Sequence, residues 1–282
     1  MAKKKMIYDF LRMKNEGEKI TFLTAYDYPT AQFAEAAGLD MLLVGDSLGM
    51  CVYGYSGTVP VVMDQCIYHC DAVRRGAPNT FIVGDMPFMS YQSALEKAVE
   101  NAGRFLKEAD CDAIKLEGGV RVVPQIKAIV EAGILVMSHI GLTPQSSGQL
   151  GGHKAQGRTL ETARIVIEDA LAVQDAGAQM ILLEAIPPEV GKYITENLDI
   201  PVLSIGAGPH CDGQLLIVSD TIGQFQAFTP KFVKKYCNVA EMVTRAMKEY
   251  AAEVRNGRFP GDEHCYKMID GEEEKFLKLL KK

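Results

Sequence analysis

Four acidic residues each end a short apolar run, and each is followed by small or turn-forming residues. They are Asp46 in MLLVGDS, Asp85 in FIVGDMP, Glu117 in AIKLEGG and Glu184 in MILLEAI. A charge at the end of a buried run is costly unless it is paired or bound to a ligand. Because the C-terminal ends of parallel strands meet at one rim, where α/β folds place their chemistry, we expect these carboxylates to converge. Such convergence predicts a site for a hard cation beside an acid–base group.

Asp46 and Asp85 are the first candidates for metal ligands. Mg²⁺ prefers a near-octahedral shell of oxygens, in which one or two carboxylates are completed by water and substrate. Two aspartates at neighbouring strand ends supply that pair. Glu117 is a candidate third ligand, either directly or through water. The competing interpretation is structural: each aspartate caps a helix or pairs with a surface cation.

Lys115 and His139 are two further candidate functional residues at this rim. Lys115 lies two residues before Glu117, so both side chains project to the same side of a strand. A lysine there would bind a substrate carboxylate or stabilise an enolate, while Schiff-base chemistry and a structural ion pair with Glu117 are the alternatives. His139 ends the next apolar run, in VMSHIGLTPQS, at the same rim. A histidine that is merely satisfied in the core or on the surface is the alternative there.

Glu184 is the candidate general base. Its apolar surroundings should raise the pKa of its carboxyl group towards neutrality, as a general base requires. The alternative is an acid at the N-terminus of a helix that begins near Pro188. The following SIGAGP segment, at 204–209, suits the position where barrels often bind phosphate, although a tight turn also explains its glycines.

Composition excludes several classes of protein. The chain has 282 residues, 48% of them apolar, which fits a globular protein with a large core. The net charge of −6 argues against a broad nucleic-acid interface, which needs a basic face. The seven cysteines lack CxxC pairing and indicate reduced thiols. The basic start has no long apolar segment and no stretch approaches a membrane span, so we expect a cytoplasmic protein without nucleic-acid or membrane partners.

Eight short runs rich in Val, Ile and Leu alternate with helix-like stretches. The segments AAGLDMLLVGD, EADCDAIKLEG and DAGAQMILLEA repeat one order: helix end, tight turn, apolar strand, acid. Repeated βα units with right-handed crossovers predict a TIM (β/α)₈ barrel. A doubly wound open sheet is the runner-up, weakened by the lack of GxGxxG after the first strand. The predicted strands are 20–25, 41–44, 80–84, 113–116, 134–138, 180–183, 202–205 and 215–218.

We expect residues 1–282 to form a single barrel domain, with a short N-terminal helix at about 5–14 and a charged C-terminal tail at about 267–282. Two connections on the active face are unusually long, 49–63 and 141–158. Long loops in a compact domain are usually lids or binding loops. A disordered insertion is the alternative for the second, which is rich in Gly, Ser and Gln.

Nine segments resemble the ketopantoate hydroxymethyltransferase family. They extend from about Thr24 to Tyr266, nearly the whole chain. They are TAYDYPTA, VGDSLGM, YHCDAVRRGAP, DMPFMSY, KLEGG, HIGLTPQS, ILLEAIP, IGAGPHCDGQ and FPGDEHCY.

This resemblance implies a TIM barrel of the phosphoenolpyruvate/pyruvate type that binds one Mg²⁺ per subunit and assembles as a homodecamer. It implies transfer of a hydroxymethyl group from 5,10-methylenetetrahydrofolate to 3-methyl-2-oxobutanoate. The product would be 2-dehydropantoate, in the first step of pantothenate biosynthesis.

The resemblance also assigns roles to residues of this chain. The metal ligands would be Asp46, Asp85 and Glu117. The ketoacid contacts would be Asp46, Ser47, Asp85 and Lys115. Glu184 would be the proton acceptor, with His139 as a supporting catalytic residue.

The chain departs from the family pattern in two places. Cys265 stands in FPGDEHCY where the family usually has Ser, and the tail KMIDGEEEKFLKLLKK continues beyond the family's usual end. The first change is small and remote from the predicted metal site. The tail could alter the assembly.

Two other functions fit parts of the pattern. A Mg²⁺-dependent C–C lyase of the isocitrate-lyase type shares the ketoacid chemistry but needs a nucleophile or acid on a mobile lid, for which Cys51 is the candidate. A non-catalytic metabolite-binding barrel would use the same rim as a receptor. Because binding alone needs no base, Glu184 argues against the second.

Overall fold

The computed structural model describes residues 4–281, which form two compact units. The first unit extends to Tyr236 and the second begins at Cys237. We describe each unit by itself, and a single domain over the whole chain stays a prediction. No helix within 4–281 is both long enough and apolar enough to span a membrane.

The first unit is a closed barrel of eight parallel strands arranged in sequence order, with β1 paired to both β2 and β8. The prediction of a TIM barrel is therefore confirmed and the open sheet is wrong. The strands are β1 Ile20–Thr24, β2 Met41–Val44, β3 Phe81–Asp85, β4 Ala113–Glu117, β5 Val136–Gly141, β6 Met180–Glu184, β7 Val202–Ile205 and β8 Gly213–Leu216.

Helices surround the barrel, and most strands are joined through one. Apolar side chains between these helices and the strands form the outer core, and a second cluster fills the barrel interior. The helices of this unit are α1 Ile7–Glu16, α2 Tyr28–Ala36, α3 Leu48–Cys51, α4 Met63–Gly76, α5 Leu95–Ala109, α6 Val123–Glu131, α7 Leu160–Asp175, α8 Pro188–Asn197 and α9 Val218–Thr221.

Helix α1 closes the N-terminal end of the barrel. Phe10 and Met13 are its buried residues and join the interior cluster. The ring of Phe10 packs edge-on against Phe81, the first residue of β3, with 5.1 Å between ring centroids. Because this end is filled by apolar side chains, the opposite end is the one that opens to ligands.

One arrangement recurs at the N-terminal end, and we call it the strand clamp. The residue just before each even-numbered strand makes two hydrogen bonds to one residue of the preceding odd-numbered strand. Its backbone N–H donates to the carbonyl oxygen of that strand residue. Its side-chain oxygen accepts the backbone N–H of the same strand residue, at 2.7 or 2.8 Å. The four clamps join Asp40 to Thr21, Asp112 to Ile82, Gln179 to Val136 and Asp212 to Val202.

The fifth strand lies later in the chain than predicted, at Val136–Gly141 rather than 134–138. Gly133 has a left-handed φ of 84°, so the turn after α6 continues to Ile134. At its other end β5 continues to Gly141, which pairs with Glu184. A Cβ at Gly141 would lie 2.4 Å from the Glu184 carbonyl oxygen, so only glycine allows this approach. His139 is therefore inside β5, not at its end.

The eighth strand and the two long connections also differ from expectation. Strand β8 begins at Gly213, two residues earlier than predicted, because Asp212 clamps to Val202. The first long connection contains α3, and the second contains a 3₁₀ turn at Pro144–Ser146. Both connections thus carry local structure close to the strand ends.

The second unit contains α10 (Val239–Arg255) and α11 (Glu272–Leu280). Tyr250 of α10 contacts Phe259, with 5.6 Å between ring centroids, and Phe259 in turn contacts His264. These contacts fold the segment after α10 back on that helix. The charged tail predicted at about 267–282 includes α11.

Candidate active site

A cavity of about 400 Å³ opens at the C-terminal end of the barrel. Its polar side is built by the ends of β2, β3, β4, β5 and β6, because parallel strands present their last residues to the same rim. The structure thus brings together every site residue predicted from the sequence. Those lining the cavity are Asp46, Ser47, Asp85, Lys115, Glu117, His139 and Glu184.

Asp46 and Asp85 lie side by side and are buried. Asp85 ends β3, and its Oδ2 accepts the backbone N–H of Asp46 at 2.9 Å. Burial raises the pKa of Asp46 well above its ordinary value, and the charges of Asp85 and Glu117 raise it further. Burial also raises the pKa of Asp85, although Lys115 opposes the rise. The negative charges of these two adjacent carboxylates are therefore only partly balanced by positive charges of the protein.

Lys115 is the cation nearest to these carboxylates. Its Nζ lies 2.7 Å from Asp85 Oδ1 and 3.7 Å from Glu117 Oε1. Burial acts to lower the pKa of Lys115, but the charges of Asp85 and Glu117 outweigh it and raise that pKa above the usual range. Because a protonated amine is not a nucleophile, this setting favours charge stabilisation over Schiff-base chemistry.

His139 bridges two carboxylates on the neighbouring strands. Its Nδ1 is 3.4 Å from Glu117 Oε1, and its Nε2 is 3.0 Å from Glu184 Oε2. Burial and the nearby charge of Lys115 act to lower the pKa of His139. The nearby carboxylates of Glu117 and Glu184 outweigh them and raise it to about 9, which favours the charged imidazolium between the two carboxylates.

Glu117 is the most strongly compensated carboxylate of the group. Burial acts to raise its pKa, but the adjacent His139 ring and the charge of Lys115 lower it below the ordinary value. Its Oε2 accepts the backbone N–H of Gln145 at 3.0 Å. Glu117 therefore stays ionised within the cluster.

The donor set fits a hard cation. Asp85 Oδ1 and Glu117 Oε1 are buried and accept no hydrogen bond of good geometry, which leaves lone pairs available to an ion. Within residues 4–281, no group of three or more His, Cys, Asp or Glu side chains is arranged to hold a metal ion by itself. An open site with carboxylate oxygens on one side, completed by water and substrate, is the type that Mg²⁺ occupies.

Ser47 is held by a residue that the sequence did not single out. The hydroxyl groups of Ser47 and Tyr26 are 2.8 Å apart. Tyr26 follows β1 and is buried, so it fixes the Ser47 hydroxyl at the edge of the cavity. Tyr26 belongs to the TAYDYPTA segment, but nothing in that pattern distinguishes it from a core tyrosine.

The other side of the cavity is apolar. It includes Leu43, Leu182, Ile205, Leu215 and Phe232. The SIGAGP turn packs against the Phe232 ring of this wall, where a Cβ at Gly206 would lie only 2.5 Å from the ring. Gly206 has a φ of 78° and lets that ring lie against the backbone. The cavity thus joins a charged half to a hydrocarbon half.

Comparison with known sequences identifies the family. The family model for ketopantoate hydroxymethyltransferase matches residues 4–262. This chain belongs to that family. A 3-methyl-2-oxobutanoate hydroxymethyltransferase from Alkaliphilus metalliredigens (strain QYMF) is 65% identical over 280 residues, which cover 99% of each chain. One from Heliobacterium modesticaldum (strain ATCC 51547 / Ice1) is 49% identical and covers 96% of this chain and 98% of its own.

Solved structures support the fold of this ketopantoate hydroxymethyltransferase family member. A 2,3-dimethylmalate lyase, described as a PEP mutase/isocitrate lyase superfamily member, aligns with a TM-score of 0.59 and 16% identity over 98% of this chain and 99% of the lyase. A phosphonopyruvate hydrolase in complex with oxalate and Mg²⁺ aligns with a TM-score of 0.60 and 13% identity, over 98% and 97% of the two chains. At these identities the likeness concerns the fold alone. The family identifies the protein as an enzyme.

Proposed function

We propose that the protein transfers a hydroxymethyl group from 5,10-methylenetetrahydrofolate to 3-methyl-2-oxobutanoate, giving 2-dehydropantoate. Asp46 and Asp85 would hold Mg²⁺, with Glu117 as the third metal-associated carboxylate. The observation that carries this proposal is the pair of buried, crowded aspartates beside Lys115, opposite a hydrocarbon wall. That combination suits a small branched 2-oxo acid, which has an anionic end and an aliphatic end.

The two halves of the cavity divide the binding of such an acid. In this proposal the Lys115 ammonium and the Ser47 hydroxyl would contact its carboxylate and keto oxygens, on the side of the aspartates. Leu182, Ile205 and Leu215 would take the branched alkyl group, since burying each methyl or methylene there gains about 0.8 kcal/mol. Mg²⁺, when bound, would act as a Lewis acid that makes the C3 hydrogen of the ketoacid more acidic.

Glu184 is the proposed proton acceptor. Its carboxylate lies at the end of β6, and His139 Nε2 holds Oε2 at 3.0 Å. The other oxygen, Oε1, remains free to take the C3 proton. Lys115 then stabilises the enolate oxygen by its positive charge. Carbon C3 attacks the one-carbon unit of the folate, and both bonds from that unit to the folate nitrogens break, one replaced by the bond to C3 and the other by a bond to a water oxygen. The C3 proton and one proton of the water end on the two folate nitrogens.

Two features argue against the alternative functions. A lyase of the isocitrate-lyase type would need a reactive group on a mobile lid, for which Cys51 was the candidate. Cys51 ends α3, and burial raises the pKa of its thiol, which disfavours a thiolate nucleophile. A receptor without catalysis would not need Glu184 beside the carboxylate cluster. Turnover that depends on folate distinguishes the proposed transferase from both.

The decisive experiment follows deuterium exchange at C3 of 3-methyl-2-oxobutanoate by NMR in deuterium oxide. We expect exchange that requires Mg²⁺ and that precedes, and does not need, folate. In parallel, calorimetry should show that Asp46→Ala and Asp85→Ala each lose Mg²⁺-dependent ketoacid binding while keeping the fold. Unchanged ketoacid affinity in either variant would remove that aspartate from the metal site.

The homodecamer and the cytoplasmic location remain predictions of the family resemblance. For the two long connections we expect protection from hydrogen exchange to rise when ketoacid and folate are bound.

A further inference from the structure

Gln145 has an uncharged side chain that links the proposed metal-binding carboxylates to the surrounding protein through several hydrogen bonds. It lies in the 3₁₀ turn Pro144–Ser146 after β5 and is 5% exposed. It belongs to the family-like HIGLTPQS segment, but its residue type and position alone give it no role. Its contacts join three strands that are far apart in the chain.

The side-chain amide of Gln145 is fully used. Its Nε2 donates to Asp46 Oδ2 at 2.9 Å and to the Met86 carbonyl oxygen at 2.9 Å. Its Oε1 accepts from the Tyr91 hydroxyl at 2.8 Å and from Gln92 Nε2 at 3.4 Å. An amide has two donor hydrogens and two acceptor lone pairs. All four positions are occupied, so the orientation of the group is determined.

The backbone of Gln145 contacts the other end of the cluster. Its N–H donates to Glu117 Oε2 at 3.0 Å, while its side chain donates to Asp46. One residue thus occupies one oxygen of each of two carboxylates. Because Oδ2 of Asp46 and Oε2 of Glu117 are engaged, their other oxygens are the ones left to face the cavity.

The buried Tyr91 side chain holds the amide of Gln145 in place. The Tyr91 hydroxyl accepts the backbone N–H of Glu117 at 3.0 Å and donates to Gln145 Oε1. The side chain of Tyr91 is fully buried, so this support is shielded from water. The turn itself is held by Arg121, whose Nη2 donates to the Ser146 hydroxyl at 2.6 Å.

We propose that Gln145 is a positioning residue that sets the orientation of Asp46 and Glu117 for a divalent cation, with Tyr91 acting through it. The inference rests on the proposed function, in which these carboxylates hold the metal. Residues that orient metal ligands without touching the metal typically contribute about 10- to 100-fold to affinity. Gln145 does this for two carboxylates at once, one through its side chain and one through its backbone.

The experiment titrates Mn²⁺ alone into the protein and measures free Mn²⁺ by electron paramagnetic resonance. Mn²⁺ is a suitable probe because it also prefers carboxylate oxygens. In Gln145→Met the side chain keeps its length but loses its amide, and we expect the dissociation constant for Mn²⁺ to rise about 10- to 100-fold. Tyr91→Phe removes only the supporting hydroxyl, so its loss should be smaller than that of Gln145→Met.

The double variant separates positioning from general destabilisation. If Tyr91 acts through Gln145, adding Tyr91→Phe to Gln145→Met should weaken Mn²⁺ binding little beyond Gln145→Met alone. Gln149→Met is the matched control, because Gln149 lies in the same loop, is exposed and contacts Arg121 rather than a carboxylate. Its Mn²⁺ affinity should equal that of the wild type. Thermal unfolding without metal reports any separate loss of stability.

The possible results distinguish a failure of the positioning role from a failure of the metal site. Wild-type Mn²⁺ affinity in Gln145→Met, with or without a lower unfolding temperature, would overturn the positioning role and leave the proposed function intact. Should Gln145→Met fail to fold, Tyr91→Phe carries the test, and an affinity equal to the wild type would overturn the proposal. If the wild type itself binds no Mn²⁺, both the metal site and this inference fail.

Discussion

The two ends of strand β2 carry aspartates in opposite situations. Asp40, just before the strand, pairs with Lys5 at 2.6 Å and accepts the Thr21 N–H. Burial acts to raise the pKa of Asp40, but these partners outweigh it and lower the pKa. Asp46, just after the strand, faces Asp85 and Glu117, and its pKa is raised well above the ordinary value.

The same contrast holds between the two ends of the barrel. At the N-terminal end, Asp112 pairs with Arg74 and Asp212 pairs with Lys14, at 2.6 and 2.9 Å, while both also clamp a strand. At the C-terminal end, carboxylates crowd around Lys115 with acceptor atoms left over. Carboxylates paired with cations at the N-terminal end stabilise the fold, whereas incompletely paired carboxylates at the C-terminal end are available to bind a ligand. Four predictions test this division.

Glu184→Gln should have the largest effect on activity. The amide keeps the shape of the side chain but cannot take a proton, and general-base contributions are typically about 10²- to 10⁴-fold. Deuterium exchange at C3 and overall turnover should fall together by that factor, while ketoacid affinity changes little. Exchange that persisted at the wild-type rate would show that another residue takes the proton. His139 would then be the next candidate.

Asp112→Ala tests the N-terminal end, where we expect a loss of stability without a loss of chemistry. Arg74 is 8% exposed and would keep only the exposed Asp110 carboxylate, 3.5 Å away, and backbone carbonyls as partners. Removing Asp112 therefore leaves a buried charge poorly compensated, at a cost of up to about 3–5 kcal/mol. Urea unfolding measures this cost. Asp40→Ala is the matched control, because the Lys5 side chain is 36% exposed and water can replace its partner. Equal losses in the two variants would contradict the argument from burial.

His139 should make the stability of the metal-free protein depend on pH. Its pKa is about 9 in the folded state against 6.5 for an ordinary histidine, so the imidazolium stabilises the fold fully below about pH 6.5. That contribution is lost as the pH rises from 6.5 through about 9, by on the order of 3 kcal/mol. Denaturant unfolding in the presence of a chelator measures it. His139→Gln should show a flatter profile over the same range.

Asp46→Asn should have the smallest effect on stability, and one of opposite sign. Because the raised pKa means that ionised Asp46 costs folding energy at neutral pH, a neutral amide should stabilise the metal-free protein. Unfolding in chelator at pH 7.5 tests the sign. A loss of stability would mean that Asp46, like Asp40, is adequately paired. With Mg²⁺ present the order should reverse, since only the wild type gains from the ion.

The sequence predicts the site better than it predicts the residues that support it. Asp46, Asp85 and Glu117 could be found because a charge at the end of a buried apolar run is costly unless it is paired or bound. Parallel strands also bring such charges together at one rim. Gln145 could not, because an uncharged residue in a polar loop gives no energetic signal until its partners are known. The link from His139 to Glu184 likewise depends on the register of β5 against β6, which periodicity does not determine.

The fold shows a similar division. The repeated segments predicted the barrel, because each combines a helix end, a turn and an apolar strand. The same segments contain Asp40, Asp112 and Gln179, yet their role as clamps depends on contacts with the previous strand. The starts of β5 and β8 differ from the prediction for comparable reasons. The left-handed conformation of Gly133 makes β5 start later than predicted, and the clamp at Asp212 makes β8 start earlier.

The strand clamps divide the barrel into four modules, because each clamp joins an odd-numbered strand to the even-numbered strand that follows it. A chain opened between β2 and β3, or between β4 and β5, would keep every clamp as a short-range contact. A chain opened within α2 would separate Thr21 from Asp40 by nearly the full length of the polypeptide. Because closing a longer loop costs more entropy and slows folding, circular permutants of the first kind should refold faster than those of the second. The four modules therefore mark the places where the order of the chain can be changed most easily.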